Sequence, residues 1–178
     1  DSDSHFEIDA NNNSSGYYPG EYAKTYVWQP TKAEGGISGL LDGLRSGRTF
    51  GVFGDLVNAL DFNVSTLAGK AFMGQEITAL AGESVMVRIR FKSPPINNYQ
   101  RPVSSGNLGN MTPKVDHIDL IAGDVGPRAQ PGTPQYQQAT TPSTRVVRRF
   151  TAADWKQDAE GYYVMELPLT VVKNQYFR

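Results

Sequence analysis

Between Ser84 and Lys92 the chain reads S-V-M-V-R-I-R-F-K, and this strict alternation constrains the fold more than any other stretch. Successive side chains of an extended strand point to opposite faces. Val85, Val87, Ile89 and Phe91 therefore fall on one side, and Met86, Arg88, Arg90 and Lys92 on the other. The pattern predicts an antiparallel strand with its apolar face in a core and its basic face, Arg88 and Arg90 included, exposed to water.

The same signal recurs in shorter form. Leu60, Phe62 and Val64 alternate with Asp61, Asn63 and Ser65, and residues 115–122, 144–150 and 162–169 read as further strands. Tyr22 to Trp28 is an aromatic and β-branched run suited to an extended segment. Between residues 93 and 114, and again between 123 and 143, Pro, Gly, Asn, Ser and Gln dominate, which predicts two loops of a length that compact domains keep for mobile or functional segments. Val171 to Arg178 reads as the opening of another strand with no turn after it, so the domain is expected to be truncated at its end. With 18 Gly and 11 Pro as punctuation, the chain is expected to be mainly β: an antiparallel sandwich of the immunoglobulin or fibronectin kind, with one N-terminal helix and long loops.

The helix is predicted from Thr31, with Glu34 placed as in a capping box and Gly47 as its stop. Ile37, Leu40, Leu41 and Leu44 fall on one face. Gly35 and Gly36 weaken the first turn by roughly 1 kcal/mol each, so the helix is expected to rely on docking that face against the sandwich or the segment around Tyr26 and Trp28.

Composition narrows the function classes. A chain of 178 residues without cysteine has no disulfides, thiolate metal sites or cysteine nucleophile. It is long enough to bury roughly 70% of its unfolded surface without staples. Seventeen basic against eighteen acidic residues give no electrostatic reason for a nucleic-acid or anionic-membrane partner, and no run approaches the ~18 apolar residues of a membrane span. The first residue is Asp1 with no initiator Met, so the sequence reads as a piece of a longer or processed chain. The compartment stays open, with a lean toward the secreted or periplasmic side.

Asp3-Ser4-His5 sets a carboxylate and an imidazole two residues apart, a pair able to ligate one metal from an extended loop. A D-x-H triplet alone is common in polar termini, and residues 1–20 read as loop. The order of motifs after it is more specific: Ser2-Asp3-Ser4-His5, then Pro19-Gly20-Glu21-Tyr22, Thr25-Tyr26-Val27-Trp28, and Gly43-Leu44-Arg45-Ser46-Gly47-Arg48. That order resembles the end of the PHP family, the polymerase-and-histidinol-phosphatase type of metal-dependent phosphoesterase, over residues 1–65.

The resemblance implies that Asp3 and His5 belong to the family's final metal-binding motif. It also implies that residues 1–30 are the tail of a PHP-like domain and linker, and that residues 31–178 form an appended helix plus sandwich. The implied cofactor is a divalent metal (Mn, Zn, Fe or Mg) held in the longer protein, and the implied partner is an upstream catalytic domain of the same chain. The family's sites begin with an H-x-H motif. This chain has two histidines, His5 and His117, and no H-x-H, so it is expected neither to hold a metal tightly nor to hydrolyse phosphoesters by itself. The alternative is an extracellular binding or structural sandwich module without a catalytic role.

Other candidates have plainer readings. His117 and Asp119 are expected on the solvent face of their strand, opposite Ile118 and Leu120. Asp9, Asn11 and Asn13 occupy the first positions of a calcium loop, but Ser14 and Gly20 stand where such a loop needs Gly and a bidentate Glu. Arg88, Arg90 and Lys92, and Arg145, Arg148 and Arg149, would make an anion-binding face if adjacent, and solvated sheet faces otherwise. Nine Tyr and two Trp stock a sugar-stacking surface that no spacing marks. No nucleophile elbow or phosphate-binding glycine loop is present.

Overall fold

A computed structural model describes residues 23–29, 36–98 and 109–178. Asp3, His5, Asp9, Asn11, Asn13, Thr31 and Glu34 lie outside the described residues.

The predicted alternating segment is a strand over its whole length, β5 (Ser84–Lys92). It lies at the centre of a five-stranded antiparallel sheet. On one side it pairs with β3 (Ala59–Ser65), which carries β4 (Lys70–Phe72) beyond it. On the other it pairs with β9 (Tyr163–Thr170), which carries the short β8 (Lys156–Gln157). A second sheet has β6 (His117–Asp124) at its centre, flanked by β7 (Arg145–Thr151) and β10 (Gln175–Phe177).

The two sheets share one core, built from Val87, Ile89 and Phe91 of β5, Met165 of β9, Leu120 of β6 and Phe150 of β7. Strand register puts Leu60, Phe62 and Val64 on the same inner face, and they pack against that cluster. This is a mainly β, antiparallel sandwich, as the alternation predicts. Trp155 meets Phe91 edge-on at 5.4 Å and Tyr163 lies 5.3 Å from the same ring, so aromatic rings close one end of the core.

The basic face of β5 departs from the expectation of full exposure. Arg90 retains only 16% of its side-chain exposure and Arg88 35%, because carboxylates from the neighbouring strands and the loop after β8 fold over them. Strand β7 holds a second departure: its register slips between Leu120 and Ile121, where Leu120 faces Arg148 but Ile121 faces Val146. The extra residue, Val147, is a β-bulge. It lets Val147 and Phe150, three positions apart, both pack on the core, which simple alternation forbids.

The long connection between β6 and β7 is built of successive tight turns, with Thr133, Tyr136 and Gln137 each donating a backbone bond to the carbonyl three residues back. At the C-terminus β10 pairs with β6, and Arg178 and Ile121 exchange both backbone hydrogen bonds. Its Cα-level partner for Tyr176 is Gly123.

A two-stranded unit precedes the sandwich: β1 (Ala23–Val27) pairs with β2 (Thr49–Phe53), with α1 (Ile37–Ser46) between them in sequence. The helix starts later than the Thr31 capping box implies, with Gly36 as its N-cap residue and no side-chain cap, and it ends at Gly47 in the left-handed conformation as predicted. Its docking is the reverse of the expected one. Ile37, Leu40, Leu41 and Leu44 are 79%, 42%, 40% and 47% exposed, and the buried residue of the helix is Gly43. A β-carbon at Gly43 would stand 2.3 Å from Val27 Cγ1. The helix therefore meets β1 backbone-first, at Gly43, and this close approach turns the leucines outward. At the other end, Gly74 in the turn after β4 nests against Ser46, Gly47 and Arg48, tying the helix end to the five-stranded sheet. Among the described residues no helix is long and apolar enough to cross a membrane.

Candidate functional site

A half-open cleft of about 390 Å³ lies where the β1–β2 unit meets the five-stranded sheet. Its aromatic half is formed by Tyr26, Trp28, Phe50 and Phe72, and its polar half by Asn58, Asp61, Arg90 and Tyr162. Trp28 is held by a backbone bond to the carbonyl of Arg48, and its ring stacks on Phe72 at 5.9 Å, within 13° of parallel. Tyr26 stacks on its cross-strand partner Phe50 at 4.8 Å. Lys24, at the far end of β1, pairs with the buried Asp55 in the turn after β2, and Asp55 also accepts the backbone N–H of Asn98. The aromatic half thus rests on two fastened strands.

The polar half is organised by Arg90. Its Nε and Nη2 donate to Asp158 Oδ2 at 3.2 and 2.7 Å, Nη2 also donates to Glu160 at 2.9 Å, and Nη1 to Asp61 at 3.4 Å. The guanidinium lies 4.2 Å from the centre of the Tyr162 ring, and Lys92 Nζ lies 4.4 Å from the same ring. The hydrogen bonds it donates to Asp158 and then Glu160 raise the arginine's pKa still further above its ordinary value, against the opposing effect of burial. Burial works against ionisation of Asp158, but the bonds from Arg90 and from the Tyr162 and Glu160 amides prevail and hold its carboxyl below the usual range. Asp61 also accepts from Asn63 at 2.9 Å.

Of the residues singled out from sequence, Arg90 stands in the cleft and His117 lies outside it. Asp3 and His5 are outside the described residues, and among the described ones no group of three or more His, Asp or Glu side chains could hold a metal. His117 is exposed at the start of β6, with Nδ1 2.7 Å from Asp116 and Nε2 3.9 Å from Asp119, in agreement with a solvent-facing histidine. Arg149 forks onto Asp119 through two 2.7 Å bonds, and this pairing holds the Asp119 carboxyl below its ordinary pKa. Arg148 bonds Asp154 at 2.7 Å.

The two arginine clusters are not adjacent. Arg88 and Arg90 belong to the five-stranded sheet and Arg145, Arg148 and Arg149 to the other, so no shared anion-binding face forms.

Comparison with protein-family models, curated proteins and solved structures finds no match to this chain.

The reading therefore stands on the residues themselves. The cleft is not legible in the sequence because its walls come from six separated stretches: residues 26–28, 50, 58–62, 72–73, 90 and 162. Its faint signal was the density of aromatic residues, which says that rings are plentiful and not where they meet.

Proposed function

We propose that this chain is a non-catalytic accessory domain of a PHP-like metal-dependent phosphoesterase, contributing at most the last metal-binding motif through Asp3 and His5. The observation that carries this reading is the order S-D-S-H, P-G-E-Y, T-Y-V-W and G-L-R-S-G-R along residues 2–48. Asp3 and His5 would supply one oxygen and one imidazole nitrogen to a divalent ion that activates water in the longer protein, the remaining ligands coming from an upstream domain. The stretch that carries S-D-S-H precedes β1 in the chain, and the exposed Leu40, Leu41 and Leu44 of α1 are the surface this reading assigns to that domain.

The test is metal analysis and a phosphoester hydrolysis assay on the protein with its upstream domain, on its Asp3→Ala and His5→Ala variants, and on residues 1–178 alone. Both variants should lose most of the bound metal and activity, and residues 1–178 should bind divalent metal weakly and turn nothing over. Full metal content and activity in both variants would reject the assignment. A second reading, an extracellular binding module without catalytic role, is favoured by the aromatic cleft.

A further inference from the structure

We propose that the cleft between the β1–β2 unit and the five-stranded sheet binds a neutral saccharide. This rests on the cleft alone and stands or falls independently of the phosphoesterase reading.

The volume of about 390 Å³ lies within the range of small-molecule sites, and the mixture of a mainly apolar lining with a few placed polar groups is what such sites need. The two halves match the two sides of a sugar ring. A pyranose presents C–H groups on its faces and hydroxyls around its rim. Flat aromatic rings take the first, and paired donors and acceptors take the second. Trp28 and Phe72 are 41% and 37% exposed, so the cost of leaving large apolar rings in water remains to be recovered by a ligand.

The polar half supplies both hydrogen-bond senses side by side. A guanidinium has five N–H protons. Arg90 commits four of them to Asp158, Glu160 and Asp61, which leaves one on Nη1. Each carboxylate oxygen of Asp61 accepts one bond, from Asn63 Nδ2 and from Arg90, and retains further acceptor capacity. Asn58, at the mouth of β3, adds an amide. A hydroxyl seated between Arg90 Nη1 and Asp61 would accept from one and donate to the other. These groups need no rearrangement to receive it, because Asp158 and Glu160 already fix the guanidinium.

Charge argues against an anionic ligand. Asp61, Asp158 and Glu160 stand against Arg90 and Lys92, three negative groups to two positive, so the local field repels phosphate. A long aliphatic ligand would desolvate the remaining Arg90 N–H and the spare acceptor positions of Asp61 without offering them a partner, at a cost.

The experiment is titration of residues 1–178 with maltotetraose, cellotetraose, xylotetraose and N-acetylchitotetraose, followed by tryptophan fluorescence and calorimetry, with inorganic phosphate as the anionic arm. At least one neutral oligosaccharide should bind saturably and alter the emission of Trp28. Its affinity should fall about tenfold or more in Trp28→Ala and in Asp61→Asn, a loss of roughly 1.4 kcal/mol. Asp61→Asn keeps the side chain's shape, so it reads the site even if Trp28→Ala loosens the β1–β2 unit. Failure of all four sugars to bind, binding of phosphate in their place, or sugar binding unchanged in both variants would each overturn the proposal.

Discussion

The ring of Tyr176 lies against Gly123 so closely that a β-carbon on the glycine would stand 2.5 Å from the ring's Cε1, Cζ and Oη. The two residues are cross-strand partners of β10 and β6. The missing side chain on one strand is filled by the ring of the other, and Tyr176 Oη reaches Thr144 Oγ1 at 2.8 Å. One contact thus fastens the C-terminal strand both to the centre of its sheet and to the end of the long connection before β7.

Gly123→Val should therefore expel the Tyr176 ring and loosen β10, costing about 1–3 kcal/mol as an overpacked site. Tyr176→Phe keeps the ring and loses the hydroxyl bond, so it should cost about 0.5–1.5 kcal/mol. Urea unfolding of both variants checks the order, and amide exchange at Gln175–Phe177 should accelerate far more in Gly123→Val. Equal protection in the two variants would show that the ring does not hold the strand.

Helix and core should respond in opposite ways to truncation. Phe91, 1% exposed at the centre of the sandwich, should lose about 3–5 kcal/mol on change to Ala, and Leu120 about 2–5 kcal/mol. Leu41→Ala should cost far less, about 0.5 kcal/mol, because that side chain is 40% exposed and lies outside the core cluster. Thermal melts of residues 1–178 decide the matter; a large loss from Leu41→Ala would restore a docked leucine face.

Gly43 is where α1 should prove sensitive. Gly43→Ala raises intrinsic helix propensity by about 0.8–1.0 kcal/mol, yet its β-carbon runs into Val27 Cγ1. The substitution should destabilise the β1–β2 unit, and the double variant Gly43→Ala, Val27→Ala should recover part of the loss. Calorimetry of the single and double variants tests the contact, and a stabilised Gly43→Ala would mean that helix and strand do not touch.

Acid should weaken the fold through a defined set of carboxylates. Asp119, Asp124, Asp154 and Asp158 all have native pKa values below their ordinary 3.8. The foremost causes of lowering are, in turn, the hydrogen bonds of Arg149, Lys173, the Thr151 amide and Arg90, the last acting against the burial of Asp158. A carboxyl whose pKa falls on folding stabilises the fold fully above its unfolded value, and that stability disappears as pH drops through the native value. The urea midpoint should accordingly hold steady from neutrality toward pH 5 and fall steeply below about pH 3.8. Asp158→Asn should lower the midpoint at pH 7 and converge with the unchanged protein at the acid end. A constant gap across the whole range would remove Asp158 from the titrating set.

By itself the sequence determined those features that repeat along one element. The period-two pattern of β5 requires one apolar and one basic face, so the strand, its buried Val85, Val87, Ile89 and Phe91, and the mainly β sandwich all follow from local order, as does the left-handed stop at Gly47. What depends on two distant stretches meeting was decided by tertiary structure alone. Arg90 reads as a solvent-facing residue until Asp61, Asp158 and Glu160 arrive from other segments to cover it. Leu40, Leu41 and Leu44 read as a docking face until the closeness of Gly43 to Val27 turns the other side of the helix inward. Trp28 and Phe72 stand far apart in the sequence until the helix end settles against Gly74 and the two rings stack. Periodicity records which side of an element is apolar. Which side is covered, and by what, depends on how closely two backbones can approach, and that is a property of the pair.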